Sequence, residues 1–224
     1  MTEGTYLDSL LAYHRERAKD DPRSLNELLE KVPEEQGNSP TFQEQILAEK
    51  GLSVIAEIKR RSPSKGKLKE NLDAVALAQT YERAGAACIS VLTDSEHFGG
   101  SKEDLMNARR SVEVPILRKD FTVDFRDICD AKIIGADCVL LIVAALEQKL
   151  LAEFIEFCEY LNLDALVEAH DEAEQGRAEL ERGQGHDVEG VLSAGASARA
   201  GARGGARHHG ASAPRAWTGL QAQG

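Results

Sequence analysis

The chemistry this sequence could do is concentrated in charged residues that close apolar, strand-like runs. Glu57 and Lys59 end the first such run in VIAEIKRRSPSKG (54–66), Lys119 ends another in VPILRKD (114–120), and Glu168 ends a third in DALVEA (164–169). A strand alternates its faces at every residue, so Glu57 and Lys59 point one way and Ile58 the other. Two charges in a core strand are costly unless they pair or serve a site. A lysine held beside carboxylates is suited to proton transfer, because the ammonium can donate while the carboxylates orient it. Directly after Lys59 the chain runs into Ser62-Pro63-Ser64, the start of a loop.

The elements that must position these residues follow a rhythm. Apolar runs occur at 53–58, 87–93, 114–120, 137–143 and 164–169, and helical patterns lie between them: LDAVALAQTYERAGA, SKEDLMNARRSV, DFRDICDAKIIGA and LEQKLLAEFIEFCEYLNL. Strands apolar on both faces, alternating with helices at this spacing, indicate βα units of a parallel sheet. Glycine follows two of these helices, in AGA (84–86) and IGAD (134–137), at the position where a left-handed residue ends a helix. The remaining choice is a doubly wound sheet or a (β/α)8 barrel. No GxGxxG or GxxxxGKS/T follows any strand, which disfavours dinucleotide-binding and P-loop readings. Charges gathered at strand C-termini favour the barrel, whose chemistry sits on that face. In FGGS (98–101) Ser101 is expected to cap the next helix while the glycines make the turn.

Ahead of the rhythm, residues 1–50 read as a helical extension. TYLDSLLAYHRERAKDD sets Leu7, Leu10, Leu11 and His14 near one face, and SLNELLEKV carries Ser24 and Glu27 at capping-box spacing. Residues 51–174 hold βα units one to five, and 175–224 form a divergent tail in which 11 of the 19 glycines fall. RAGARGGARHHGASAPRA has no apolar period, so the tail is expected to be disordered.

Composition excludes several classes. A formal net charge of −11 argues against nonspecific nucleic-acid or membrane-surface binding, and no run approaches the length of a transmembrane helix. Cys88, Cys129, Cys138 and Cys158 form no CxxC pair, and Cys88 and Cys138, inside apolar strand-like runs, read as small core residues. Without an export signal at the N-terminus, a reducing cytoplasm is the expected compartment. His97 and His170 read as surface loop residues.

Taken together, VIAEIKRRSPSKG, VLTDSEHFGGS, VPILRKDF, DCVLLIVAAL and DALVEAHDEAE resemble the indole-3-glycerol phosphate synthase family over roughly residues 5–174. The signature Glu-x-Lys-x-x-Ser-Pro-Ser is intact at Glu57, Lys59, Ser62, Pro63 and Ser64. The resemblance implies an α/β fold, a (β/α)8 TIM barrel with an N-terminal helical extension, here incomplete after the fifth βα unit. It implies ring closure of 1-(2-carboxyphenylamino)-1-deoxyribulose 5-phosphate with loss of CO₂ and water, and no metal or organic cofactor. Lys119 matches the general acid, Lys59 the lysine that meets the substrate carboxylate, and Glu57 with Glu168 the carboxylates that orient them. Phe121 and Phe98 would line the anthranilate pocket, with Ser62 and Pro63 at the substrate's polar groups. The expected partner is the phosphosugar–anthranilate small molecule, with no nucleic acid, no membrane, and a monomer or weak oligomer.

The resemblance breaks near Gln175. The family's Asn-Asn-Arg, Glu-Ser-Gly and late glycine-rich loop, which bind phosphate, do not follow in RAELERGQGHDVEGVLSAGASARAGARGG. The Ala, Gly, Arg and Pro bias there is what an out-of-frame reading of a GC-rich gene produces, and it predicts little or no turnover. Two alternatives stay open: another phosphosugar barrel enzyme such as phosphoribosylanthranilate isomerase, and a non-catalytic barrel fragment acting as a binding module. A strand-end cysteine facing an aspartate would mark the former, and a steep salt dependence of nucleic-acid binding the latter.

Overall fold

The computed structural model describes residues 5–34, 40–48, 52–62, 66–67, 72–183 and 189–193, with the backbone alone at 62, 66–67, 182–183 and 189–193. Three helices come first: α1 (Tyr6–Lys19), α2 (Leu25–Leu29) and α3 (Phe42–Ala48). Both expected helix starts form. Ser24 and Glu27 make the capping box of α2, and Thr5 with Asp8 makes a second one on α1. Leu10, Leu11 and His14 form the buried face of α1.

The sheet strands are β1 (Ile55–Ile58), β4 (Cys88–Leu92), β5 (Ile116–Lys119), β6 (Cys138–Ile142), β7 (Asp164–Ala169) and β8 (Glu189–Ser193). They pair in that order and all in parallel. A short antiparallel pair, β2 (Arg61–Ser62) with β3 (Gly66–Lys67), leaves the end of β1 as a separate ribbon. Helices α4 (Ala74–Arg83), α6 (Lys102–Arg109), α7 (Phe125–Ile133), α8 (Gln148–Tyr160) and α9 (Glu172–Gly183) make the crossovers, and a one-turn helix α5 (Ser95–Phe98) follows β4. β4 and β6 are buried at every residue, as strands of a parallel sheet covered on both sides must be. The architecture is an incomplete (β/α)8 barrel with a helical extension.

The turns obey the expected chemistry. Gly85 and Gly135, just past α4 and α7, take φ of 86° and 87°. Ser101 Oγ accepts the Asp104 N–H at 3.0 Å and caps α6. Gly100 is required for closeness rather than φ: a Cβ there would lie 2.1 Å from the Leu92 carbonyl oxygen, so β4 and the turn after it could not approach.

The extension closes the barrel at both ends. On the side of the strand N-termini, fully buried Phe42 lies against Cys88, and the Gln43 N–H donates to Asp164 Oδ2 at 3.1 Å. On the opposite side Arg15 donates to the Ala145 carbonyl at 2.8 Å, and Arg126 reaches back to the Ala18 carbonyl at 2.6 Å.

Regular elements continue past residue 174. α9 runs to Gly183 and β8 adds a sixth parallel strand against β7. Composition missed this because one small residue does the packing: Ala178 is fully buried, and Arg177 reaches the Val143 carbonyl at 3.1 Å. The disorder expected for 194–224 lies outside the described residues.

Candidate active site

Sheet register brings the charged residues to one level. Glu57 lies opposite Ser90, Leu92 opposite Lys119, and Ile142 opposite Glu168, all near strand C-termini. Glu57, Lys59, Lys119 and Glu168 line one cavity of about 440 Å³ at that mouth, with Phe98, Phe121, Leu140 and Ile142 as apolar wall. Phe98 and Phe121 sit 6.4 Å apart between ring centroids. Tyr6, Leu7 and Leu10 of α1 form the outer lip.

The lysines are each paired with a carboxylate. Lys59 Nζ donates to Glu57 Oε1, and Lys119 Nζ lies 3.3 Å from Glu168 Oε2. All four side chains are between 23% and 32% exposed, partly dry yet open to a ligand. Tyr81 on α4 anchors this end of β1 by donating to the Glu57 carbonyl at 3.3 Å. Ser62 is placed by its backbone on β2, while Pro63 lies outside the described residues.

Beneath the mouth lies a buried polar layer that sequence reasoning missed. Arg118, 3% exposed, donates to Asp120 Oδ2 at 2.9 Å, to Thr93 Oγ1 at 3.1 Å and to the Asp127 carbonyl at 2.6 Å. Thr93 in turn donates to Asp120 at 2.6 Å, and Asp120 Oδ1 accepts the Phe121 N–H at 2.9 Å. This ties the ends of β4 and β5 to α7 and so fixes the backbone that carries Lys119. Burial pushes the Asp120 carboxyl up, but the Arg118 charge and the Thr93 hydroxyl outweigh it and hold the group below the usual carboxylate range. The visible signal was an Arg-Lys-Asp run inside an apolar strand.

A second missed group joins α1 to this layer. His14 Nε2 and His97 Nδ1 both contact Asp94 Oδ2, at 2.8 and 2.9 Å, and Asp94 Oδ1 accepts the N–H groups of His97 and Phe98 as the N-cap of α5. Burial raises the Asp94 carboxyl, yet these hydrogen bonds more than offset it and leave the group well below its ordinary value. An ionised carboxylate only accepts, so both imidazoles donate to it. His14, Asp94 and His97 are also the described residues whose spacing could admit a metal ion, but hydrogen bonds account for their arrangement. His14 is 80 residues from Asp94, beyond any spacing rule. His170, read as a surface residue, is half exposed but lines the cavity, 3.1 Å from Glu168 Oε1. The four cysteines are all buried, as expected of Cys88 and Cys138, and none lies at the mouth.

Acid–base residues at the ends of three strands, around a cavity at the C-terminal face of a parallel βα sheet, define a (β/α)8-barrel protein with a small-molecule site. The family described as Indole-3-glycerol phosphate synthase matches residues 7–190, and the chain belongs to that family. Proteins named indole-3-glycerol phosphate synthase resemble it over 69–78% of its length. The one from Kineococcus radiotolerans is 47% identical over 180 residues, covering 78% of this chain and 65% of the relative. Those from Parafrankia sp. and Desulfotalea psychrophila are 48% and 41% identical, covering 69% and 77% of this chain. The chain spans 56–66% of the length of these relatives. Among solved structures, a mandelate oxidase mutant matches at a TM-score of 0.47 and 13% identity, over 69% of this chain and 52% of that one.

Proposed function

We propose that the chain catalyses the family reaction, indole ring closure of 1-(2-carboxyphenylamino)-1-deoxyribulose 5-phosphate with decarboxylation and dehydration, as a carboxy-lyase of tryptophan biosynthesis. The observation that carries this reading is the pair of lysine–carboxylate contacts lining one aromatic-walled cavity. Lys119 is the acid that protonates the ketone oxygen as the ring carbon attacks it. Lys59 meets the substrate carboxylate and serves the later loss of water. Glu57 and Glu168 keep both ammonium groups oriented and stabilise the cationic intermediate left before CO₂ departs. Phe98 and Phe121 supply flat apolar walls for the anthranilate ring, and Ser62 and Pro63 are assigned to the substrate's polar groups.

The chemistry uses acids and bases alone, so these roles involve no cofactor. The substrate is the small-molecule partner, and we place the reaction in the cytoplasm, with the chain a monomer or weak oligomer. Among the described residues no helix is long and apolar enough to cross a membrane. The test is fluorescence-monitored product formation by purified chain of verified mass. Slow turnover that Lys119→Ala lowers at least about 100-fold is expected, the scale of a lost general acid. Turnover that survives Lys119→Ala, or none even when the reading frame beyond residue 174 is corrected, would overturn the assignment.

A further inference from the structure

Glu168 has a different partner on each carboxylate oxygen. Oε2 faces Lys119 Nζ at 3.3 Å, and Oε1 faces His170 Nε2 at 3.1 Å. His170 is itself held from α9: Glu174 Oε2 accepts its backbone N–H at 2.8 Å and lies 3.5 Å from its Nδ1. Asp171 Oδ1 in turn accepts the Glu174 N–H at 2.8 Å. The His170 side chain is 44% exposed, against 23% for Glu168 and 32% for Lys119. A continuous line therefore runs from solvent to the lysine inside the mouth. The charged groups along it are Glu168 and Asp171 on either side of His170 in the chain, Glu174 from α9 and Lys119 from β5. The Glu57–Lys59 pair of β1 lines the same cavity.

We propose that His170 is the proton entry of this site, recharging Lys119 through Glu168. This rests on the reading above, whose stoichiometry demands such an entry. When a carboxylate leaves as neutral CO₂ and the ketone oxygen leaves as water, one proton is taken up from solvent per turnover. Lys119 gives its proton to the ketone oxygen and becomes an amine. The His170 imidazolium passes its Nε2 proton to Glu168 Oε1, leaving neutral imidazole, and the carboxyl group rotates and delivers the proton to the amine. His170 then regains a proton from water or buffer, so the protein returns to its starting state and the solvent has lost one proton. Glu174 is a positioning residue that keeps the imidazole turned toward Glu168.

His170→Gln is the informative variant, because its amide can still donate to Glu168 but cannot carry a proton. Its kcat should fall about tenfold or more with KM within about twofold of wild type, and added imidazole should restore much of the rate. Glu174→Gln should lower kcat less and respond to imidazole little, since its own imidazole is still present. An unchanged kcat in His170→Gln, or a loss shared with KM that imidazole does not repair, would overturn the relay while leaving the function intact. Absence of product both from the wild-type chain and from one whose reading frame beyond residue 174 is corrected would overturn the function and the relay together.

Discussion

At the scale of residues, charge inside the barrel is tolerated only where it is paired. Glu57 and Lys59, two residues apart on β1, share a face and satisfy each other, so the pair was readable from strand alternation alone. Lys119 and Glu168 are 49 residues apart, and only the sheet brings them together. Arg118 is the opposite case, a guanidinium with no view of solvent whose three acceptors are all protein atoms. Removing it leaves Asp120 buried without a counter-charge. Arg118→Met should therefore cost about 3–5 kcal/mol in urea denaturation. A cost under about 1 kcal/mol would mean that Thr93 alone satisfies Asp120.

Among elements, the one-turn helix α5 shows how a short segment can hold two others. Asp94 caps it, and the same carboxylate receives His14 from α1 and His97 from α5 itself. Asp94→Ala removes the cap and strands the buried His14 donor and the half-buried His97 donor, which together should destabilise the fold by about 2–4 kcal/mol. The folded carboxyl sits below its unfolded value, so its contribution is complete above roughly pH 4 and is lost as pH falls toward the folded value. Acid unfolding followed by circular dichroism should accordingly be steeper in the wild type than in Asp94→Ala, and equal slopes would refute the linkage. None of this was visible beforehand, because an Asp before Ser-Glu-His reads only as a local cap.

For the whole molecule, one buried cation gives a pH signature. Lys132 on α7 is 5% exposed and donates to the Asn162 carbonyl at 2.7 Å, and burial lowers its ammonium to about 8 despite Asp137 and Asp164 nearby. A lysine lowered in the folded state is more protonated when unfolded, so its share of stability rises with pH from about 8 to 10.5. Burial raises the thiols of Cys129 and Cys158, which pulls the other way over the same range. The clean observable is the difference between wild type and Lys132→Met. The wild type should gain on the variant as pH rises through that window, and parallel thermal-unfolding curves would reject the assignment.

Periodicity and turn chemistry are local, and they determined a great deal on their own: the βα rhythm, the caps at Ser24 and Ser101, the left-handed glycines after α4 and α7, and the strand-end positions of Glu57, Lys59, Lys119 and Glu168. Tertiary structure decided everything that joins distant segments. It placed Phe42 under the amino ends of the strands and His14 over the carboxyl ends, and it turned His170 toward Glu168. It also carried α9 and β8 past a boundary that composition had drawn at residue 174. The physical reason is that alternation and capping act over a few residues of backbone. Burial, register and the pairing of charges depend on which strand lies beside which, and only the assembled sheet supplies that.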